Sequence, residues 1–197
     1  MRTRVAKYIS ILGHPLLTIP FVVIVALFNF EEPKRAFLIS LLIVGGIFIP
    51  LTVKSYKGMK DGTYTNFDIS EKSQRQSWYF FALALLAIVT IVLFITDQSR
   101  VLRLNMLFAF ILLLTSQLMN YFIKSSLHVS LNIFLAFSML PLSLVTAIVL
   151  FIFVILISWS RLELQRHTLK EIFAGAWIGF ATGILLWLTV SKVSLFE

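Results

Sequence analysis

The chain has 197 residues, of which 59% are hydrophobic and only 13% are charged. Soluble domains carry about 25% charged residues, so this chain has too few polar side chains to cover a water-soluble surface, and the bilayer must be its main solvent. The absence of cysteine excludes disulfides, thiolate nucleophiles and cysteine-based zinc sites. The net charge of +8 is typical of loops that anchor at anionic headgroups, and no soluble basic domain is present to bind nucleic acid.

The hydrophobic runs predict an all-α fold, a polytopic bundle of six to seven transmembrane helices in a single integral membrane domain over residues 1–197. A helix needs about 20 apolar residues to cross the hydrocarbon core. The predicted spans cover residues 9–30, 36–53, 78–96, 104–123 and 172–190, together with one long apolar run at 129–159.

Three local signals refine this pattern. The basic residues 1–7 precede the first run without a small-residue cleavage site, so we interpret that run as a retained span. Gly45-Gly46 marks a point of close helix packing. Pro141 predicts that the long run is a hairpin of two short helices, whereas a single bent helix reduces the count to six.

Three polar segments lie between the predicted spans, at residues 54–77, 124–130 and 160–170. If the Pro141 hairpin forms, two spans separate each segment from the next. All three segments are then expected at one face of the membrane, where they can assemble one site. Lysine and arginine are more frequent on that side, which favours the cytoplasmic face of a bacterial inner membrane under the positive-inside rule.

The last polar segment carries the most specific pattern. Ser160 and Arg161 are followed by five residues, then His167, then Glu171 four positions further on. If His167 begins the last helix, it shares a face with Glu171. The carboxylate can then bind one ring nitrogen and leave the other free as a nucleophile. The forked guanidinium of Arg161 suits phosphate oxygens.

The other two polar segments supply complementary groups. In the second, His128 can protonate a leaving oxygen as a general acid, and the hydroxyl of Ser126 can donate a hydrogen bond to phosphate. In the first, Lys72 and Arg75 are candidate phosphate ligands. His14, in a Gly-His-Pro sequence, lies outside these patterns and is interpreted as structural.

These patterns resemble the signatures of the type 2 phosphatidic acid phosphatase superfamily of membrane lipid phosphatases, in a divergent bacterial form, over a core of about residues 67–190. The third signature, S-R-x5-H-x3-D, is matched at Ser160, Arg161 and His167, with Glu171 in the Asp position.

The second signature, P-S-G-H, is matched at Ser126 and His128. In the first, K-x6-R-P, Arg75 takes the Arg place. Asp68 stands where the lysine belongs, Gln76 replaces the proline, and Lys72 is a candidate to supply the missing charge.

The resemblance implies hydrolysis of a phosphomonoester or pyrophosphate of a membrane lipid through a phosphohistidine, with no metal or other cofactor. In that scheme His167 is the nucleophile, Glu171 orients it, and His128 is the general acid. The phosphate-binding residues are Arg161, Arg75, Lys72 and Ser126.

Two other functions remain open: a lipid phosphotransferase that uses the same histidine chemistry, and a catalytically degenerate lipid-binding protein. A transporter is disfavoured because the ionisable residues lie almost entirely at the ends of spans. Phosphatidic acid, phosphatidylglycerophosphate, polyprenyl phosphates or pyrophosphates, lipid A phosphates and sphingoid phosphates all remain candidate substrates. The expected partners are this lipid phosphate and the bilayer.

Overall fold

The computed structural model describes residues 1–193, and all regular structure in that range is helical. The helices are α1 (Arg2–Leu12), α2 (Pro15–Phe30), α3 (Pro33–Lys60), α4 (Lys72–Ile95), α5 (Arg100–Asn120), α6 (Leu127–Met139), α7 (Leu144–Glu163) and α8 (Leu169–Val193). The predicted all-α class is therefore confirmed.

Five helices, α3, α4, α5, α7 and α8, are long and apolar enough to cross a membrane. Helices α1 and α2 are bent by 49° at the break between them and pass the same test when taken together, so they bring the count to six if the pair crosses the membrane. This total agrees with the lower predicted count. Large apolar side chains such as Phe21, Ile88, Ile155 and Trp177 are exposed on the surface, as expected for helices surrounded by lipid chains. The protein is an integral membrane protein.

The first predicted span is interrupted at Gly13 and His14. A Cβ on Gly13 would lie 2.4 Å from Cγ1 of Ile157, so glycine is needed for the break to approach α7. His14 is the N-cap of α2, and its Nδ1 accepts the backbone N–H of Leu16 at 3.1 Å. Pro15 follows at the first helical position, where its missing N–H has no cost. His14 therefore has a structural role at this break.

The predicted hairpin at Pro141 forms, but its first arm is too short to span. Helix α6 has 13 residues, and at about 1.5 Å per residue it is about 20 Å long, less than the hydrocarbon core of about 30 Å. All of its residues except Leu131 are buried. It lies among α2, α5, α7 and α8, so the second polar segment enters the interior of the bundle.

Small residues let these helices approach closely. The glycines on the face of α8 that packs on α6 are Gly175, Gly179 and Gly183. A Cβ at Gly175 would lie 2.5 Å from the carbonyl oxygen of Ser126. This close approach allows the backbone N–H of Ser126 to donate to the carbonyl of Glu171 at 3.1 Å.

The predicted packing point in α3 is confirmed for Gly46, where a Cβ would lie 3.0 Å from Cγ2 of Val89 on α4. Both glycines of this pair lie in a π-helical stretch, Leu41–Phe48, in the middle of α3.

Candidate active site

The three polar segments come together with the α1–α2 break in one cluster. The hydrogen bonds that join them run from Arg161 to Asp68 (2.6 Å), from Arg75 to the carbonyl of Ser125 (3.0 Å), and from Ser126 to the carbonyl of Glu171 (3.1 Å). The expectation that separate polar segments share one side of the bundle is therefore met.

The pairing of His167 with Glu171 is present, but a different local structure produces it. His167 lies two residues before α8, so the expectation that it begins the helix is wrong. Its Nδ1 lies 2.9 Å from Oε2 of Glu171. The same Oε2 accepts the N–H of Thr168 at 3.1 Å, and Thr168 Oγ1 accepts the N–H of Glu171 at 3.4 Å. These reciprocal bonds are a capping box, which holds the carboxylate beside the imidazole.

The spacing between Arg161 and His167 corresponds to a compact turn at the end of α7. The backbone N–H groups of Arg166 and His167 both donate to the carbonyl of Arg161, at 3.0 and 3.4 Å. Gln165 adopts the left-handed conformation with φ of 53°, which is uncommon for a residue other than glycine. The turn brings His167 back beside the last turn of the helix that carries Arg161.

The electrostatic surroundings keep His167 neutral. Burial lowers the pKa of His167, and the charges of Arg161, Arg75 and Lys124 lower it further, to about 2, against a smaller opposing effect of Asp68. Its Nε2 makes no hydrogen bond within the described residues. A neutral imidazole with its Nδ1 proton bound to a carboxylate has a free lone pair on Nε2, which is the form a nucleophile requires.

Asp68 connects the first polar segment to the helix break. Its Oδ1 lies 3.3 Å from Nε2 of His14, and the His14 ring lies edge-on to His128 with 4.7 Å between centroids. Burial raises the pKa of Asp68. The contact with His14 and the charge of Arg161 outweigh that effect and hold this pKa well below its usual value. Asp68 is therefore a carboxylate at neutral pH.

His14 belongs to this cluster although no sequence signature includes it. An ionisable residue within an apolar span is itself a reason to expect a functional site, and the Gly-His-Pro sequence is such a case. That general signal was available in the sequence. The contact between His14 and Asp68 could not be predicted from the sequence, because the two residues are far apart along the chain.

Three side chains of the cluster also offer atoms for a metal ion: ligand atoms of His14, Asp68 and His128 lie within 4.8 Å of one another. Nδ1 of His14 accepts a backbone N–H from Leu16, so a neutral His14 ring carries its proton on Nε2. A metal on Nε2 would move that proton to Nδ1, where it would face the N–H of Leu16. The contacts therefore favour a His14–Asp68 pair over a metal centre.

Several buried polar atoms in or beside the cluster have no hydrogen-bond partner among the described residues. These atoms are Oγ of Ser125, Oγ of Ser126, Nε2 of His128 and Nε of Arg161. Buried polar atoms are normally paired. All four groups can donate a hydrogen bond, that of His128 when its Nε2 carries a proton, so they suit an anion.

Lys72 is not brought together with the other candidates. Its Nζ donates to the carbonyls of Tyr121 and Phe122, at 2.9 and 3.4 Å, where a positive charge favours the C-terminal end of α5. Nζ of Lys124, by contrast, lies 3.7 Å from Oε2 of Glu171. The lysine beside the His167–Glu171 pair is therefore Lys124.

A cavity of about 410 Å³ borders the side of the cluster that carries His14 and His128, whereas Arg161, His167 and Glu171 do not line it. Its polar lining at this end consists of His14, Asp68, Arg75 and His128. The remaining walls are mainly apolar side chains of α2 to α6, and they extend to Ser99 and Leu102, at the far end of the α4–α5 hairpin. The volume is within the range of about 300–1,000 Å³ for small-molecule sites. Glu31, Ser99 and Asn105 also line the cavity away from the cluster, so its mainly apolar walls lie between two polar ends, which suits an amphiphile.

Comparison of the chain with protein-family models, with curated proteins and with solved structures found no match in any of the three. The resemblance to the phosphatase superfamily therefore rests on the motif residues, and the function is inferred from them and from the geometry of the cluster.

Proposed function

We propose that this protein is a lipid phosphate phosphatase of the type 2 phosphatidic acid phosphatase kind, which hydrolyses a phosphomonoester or pyrophosphate of a membrane lipid. The observation that supports the proposal best is the 2.9 Å contact between His167 and Glu171, next to the buried Arg161 and in a cluster that contains His128. A nucleophile with an orienting carboxylate and a permanent cation are the groups that this chemistry needs.

In the first chemical step, Nε2 of His167 attacks the phosphorus atom. A P–N bond forms as the bond between phosphorus and the lipid oxygen breaks, and His128 gives that oxygen a proton. Burial and the charge of Arg161 lower the pKa of His128 in the empty site, and a bound phosphate raises it, so His128 takes up this proton as the substrate binds. The Nδ1–H of His167 remains bound to Glu171, whose negative charge stabilises the imidazolium formed in the attack.

In the second step, water attacks the phosphohistidine. His128, now neutral, removes a proton from the water, the P–N bond breaks, and inorganic phosphate leaves. Each group returns to its starting protonation state, so the reaction consumes only water. No metal participates in this scheme.

The phosphate oxygens are held by Arg161, Arg75 and the hydroxyl of Ser126. Charge-assisted hydrogen bonds from guanidinium groups are about twice as strong as neutral ones, and they stabilise negative charge on the transferring group. We leave Lys72 out of this set because its ammonium binds the end of α5.

The cavity supports a lipid as the substrate. A phosphate headgroup at the end lined by Arg75 and His128 leaves the hydrocarbon chain along the apolar walls of α2 to α6. Transfer of that chain from lipid to protein costs little, because both environments are apolar. We also propose that the site lies at the cytoplasmic face of a bacterial inner membrane, the location that the distribution of lysine and arginine favours.

The test is phosphate release by the purified protein in detergent, from a panel of lipid phosphates, with a chelator present. We expect release by the wild type and a loss of at least about 1,000-fold in His167→Ala and Arg161→Lys, since both remove a group that acts on the phosphorus centre. Arg103→Lys is the matched control, because Arg103 pairs with Asp97 at the other end of the α4–α5 hairpin.

The outcomes separate the alternatives. No release from any lipid by folded protein would overturn the hydrolase. Release of the headgroup phosphate to a lipid acceptor, without free phosphate, would identify the phosphotransferase. Loss of activity in chelator would overturn the metal-independent scheme.

A further inference from the structure

We infer that the N-terminal helix pair is part of the active site: Ser10, His14 and Asp68 hold one side of the Arg161 guanidinium, so that its Nε–Nη2 edge is presented to phosphate. This inference rests on the proposed function and adds three positioning residues to it. None of the three lies in a matched signature position.

The first step concerns Nη1 of Arg161. This nitrogen carries two N–H donors, and it donates to Oγ of Ser10 at 2.8 Å and to Oδ2 of Asp68 at 2.6 Å. Both donors therefore have acceptors, one from α1 and one from the loop before α4. The Arg161 side chain is only 2% exposed, so these two bonds set its orientation within a packed interior.

The second step concerns the other nitrogens of the same group. Nε of Arg161 is buried and has no hydrogen-bond partner among the described residues, and Nη2 makes no hydrogen bond to them. Nε–H and Nη2–H project in parallel from one edge of the planar guanidinium. That edge is the fork that binds two oxygens of a phosphate, and it lies on the other side of the group from Nη1.

The third step concerns what holds Asp68. Its second oxygen, Oδ1, lies 3.3 Å from Nε2 of His14, close enough for the polar ring edge to interact with the carboxylate. The other ring nitrogen of His14 accepts the N–H of Leu16 at 3.1 Å, which ties the ring to the first turn of α2. His14 at the helix break therefore fixes the position of Asp68, and Asp68 fixes the orientation of the Arg161 guanidinium.

This arrangement accounts for the carboxylate at position 68, where the resembling signature has a lysine. A lysine beside Arg161 would be repelled by the guanidinium and would lose the contact with His14. A carboxylate at this place is compatible with a phosphate site only if it binds the side of Arg161 that the phosphate does not use, and its bond to Nη1 meets that condition.

The experiment compares purified full-length variants for lipid phosphate hydrolysis and for binding of orthovanadate, measured as a shift of the thermal midpoint. Asp68→Asn and His14→Leu should lower kcat about 10- to 100-fold with a smaller change in KM, as expected for a misplaced phosphate ligand. Vanadate affinity should fall in parallel. Ser10→Ala removes one of the two acceptors and should give a smaller loss, of about 3- to 10-fold.

Two variants separate positioning from general structural damage. His14→Gln keeps a side-chain N–H for Asp68 and should recover most of the activity lost in His14→Leu. Asp61→Asn is the matched control, since Asp61 is an exposed carboxylate of the same loop whose hydrogen bonds are to Thr63, and it should stay within about twofold of the wild type.

Active wild type with unaffected Asp68→Asn and His14→Leu variants would overturn this inference and leave the proposed function standing. A faster Asp68→Asn variant would also overturn it, because it would identify Asp68 as a group that obstructs phosphate. If the wild type releases no phosphate from any lipid, the proposed function fails. Vanadate binding then tests the positioning role of Asp68. Equal vanadate affinity in wild type and Asp68→Asn, or no vanadate binding by the wild type, would overturn the inference.

Discussion

Oε2 of Glu171 lies within hydrogen-bonding distance of two groups at once, Nδ1 of His167 at 2.9 Å and the N–H of Thr168 at 3.1 Å. One carboxylate oxygen therefore caps α8 and orients the imidazole. The orientation of the proposed nucleophile is in this way coupled to the start of a membrane-spanning helix.

Glu171→Gln removes the charge that stabilises the imidazolium while it keeps the side-chain length. We expect kcat to fall about 100- to 1,000-fold, because an amide can present the wrong group to Nδ1 and offers no negative charge. The free energy of unfolding should fall by only about 1 kcal/mol through the weakened cap. Steady-state hydrolysis and thermal midpoints measure the two effects. Glu163→Gln at the end of α7 is the control, and an equal loss there would contradict the assignment.

The pH dependence of stability follows from the lowered pKa of His167. Its folded pKa of about 2 lies below the unfolded value of 6.5, so the unfolded chain binds the proton more readily. Stability is therefore lost as the pH falls below 6.5, by about 2 kcal/mol from this group between pH 6.5 and 5. The thermal midpoint should fall less between these pH values in His167→Gln than in the wild type, and a residual fall is expected from the buried His128, whose pKa is also lowered by burial. The same pH slope in wild type and variant would show that His167 titrates normally.

Gly175→Ala tests the close packing of α8 on α6. The added Cβ would lie 2.5 Å from the carbonyl oxygen of Ser126, so the helices must separate. We expect a loss of about 1–3 kcal/mol in stability and a clear loss of activity, since the shift moves His128 relative to His167. Gly45→Ala is the control, because its Cβ would meet only ordinary contacts at 3.8 Å. Similar behaviour of both variants in thermal unfolding would argue against this packing.

Substitution of Lys124 and substitution of Lys72 are expected to have different effects on activity. Lys124→Met removes the ammonium 3.7 Å from Glu171 and should lower kcat/KM about 10-fold through lost positive potential near the phosphate. Lys72→Met should leave kcat/KM within about twofold, because its ammonium binds the C-terminal carbonyls of α5. Hydrolysis assays on both variants decide the matter. A larger loss in Lys72→Met would restore the phosphate-binding role that the sequence predicts for it.

Ala109→Phe tests whether the cavity holds the lipid chain. Ala109 lines the cavity on α5, so a phenyl group there reduces its volume. We expect KM for a long-chain lipid phosphate to rise about 10-fold, while a short-chain, water-soluble analogue is hydrolysed as before. Ala84→Phe on the exposed side of α4 is the control. An equal rise in KM for both chain lengths would contradict a tail-binding role.

The sequence alone indicated the membrane class, the approximate positions of most helices and the residues on which the proposed chemistry depends. Long apolar runs and breakers such as Pro141 act locally, so they can be read without knowledge of the fold. Arg161, His167 and Glu171 lie within eleven consecutive positions of the sequence, and the distance along the chain limits how far apart they can be in space.

Only the tertiary structure decided the remaining members of the cluster. Asp68 and Arg161 are 93 positions apart, and the side of a helix from which Lys72 or Lys124 projects depends on where that helix begins and what it packs against. His14 joins the cluster only because Gly13 lets the helix break approach α7. Such contacts arise from packing between distant elements, which local periodicity and spacing do not specify.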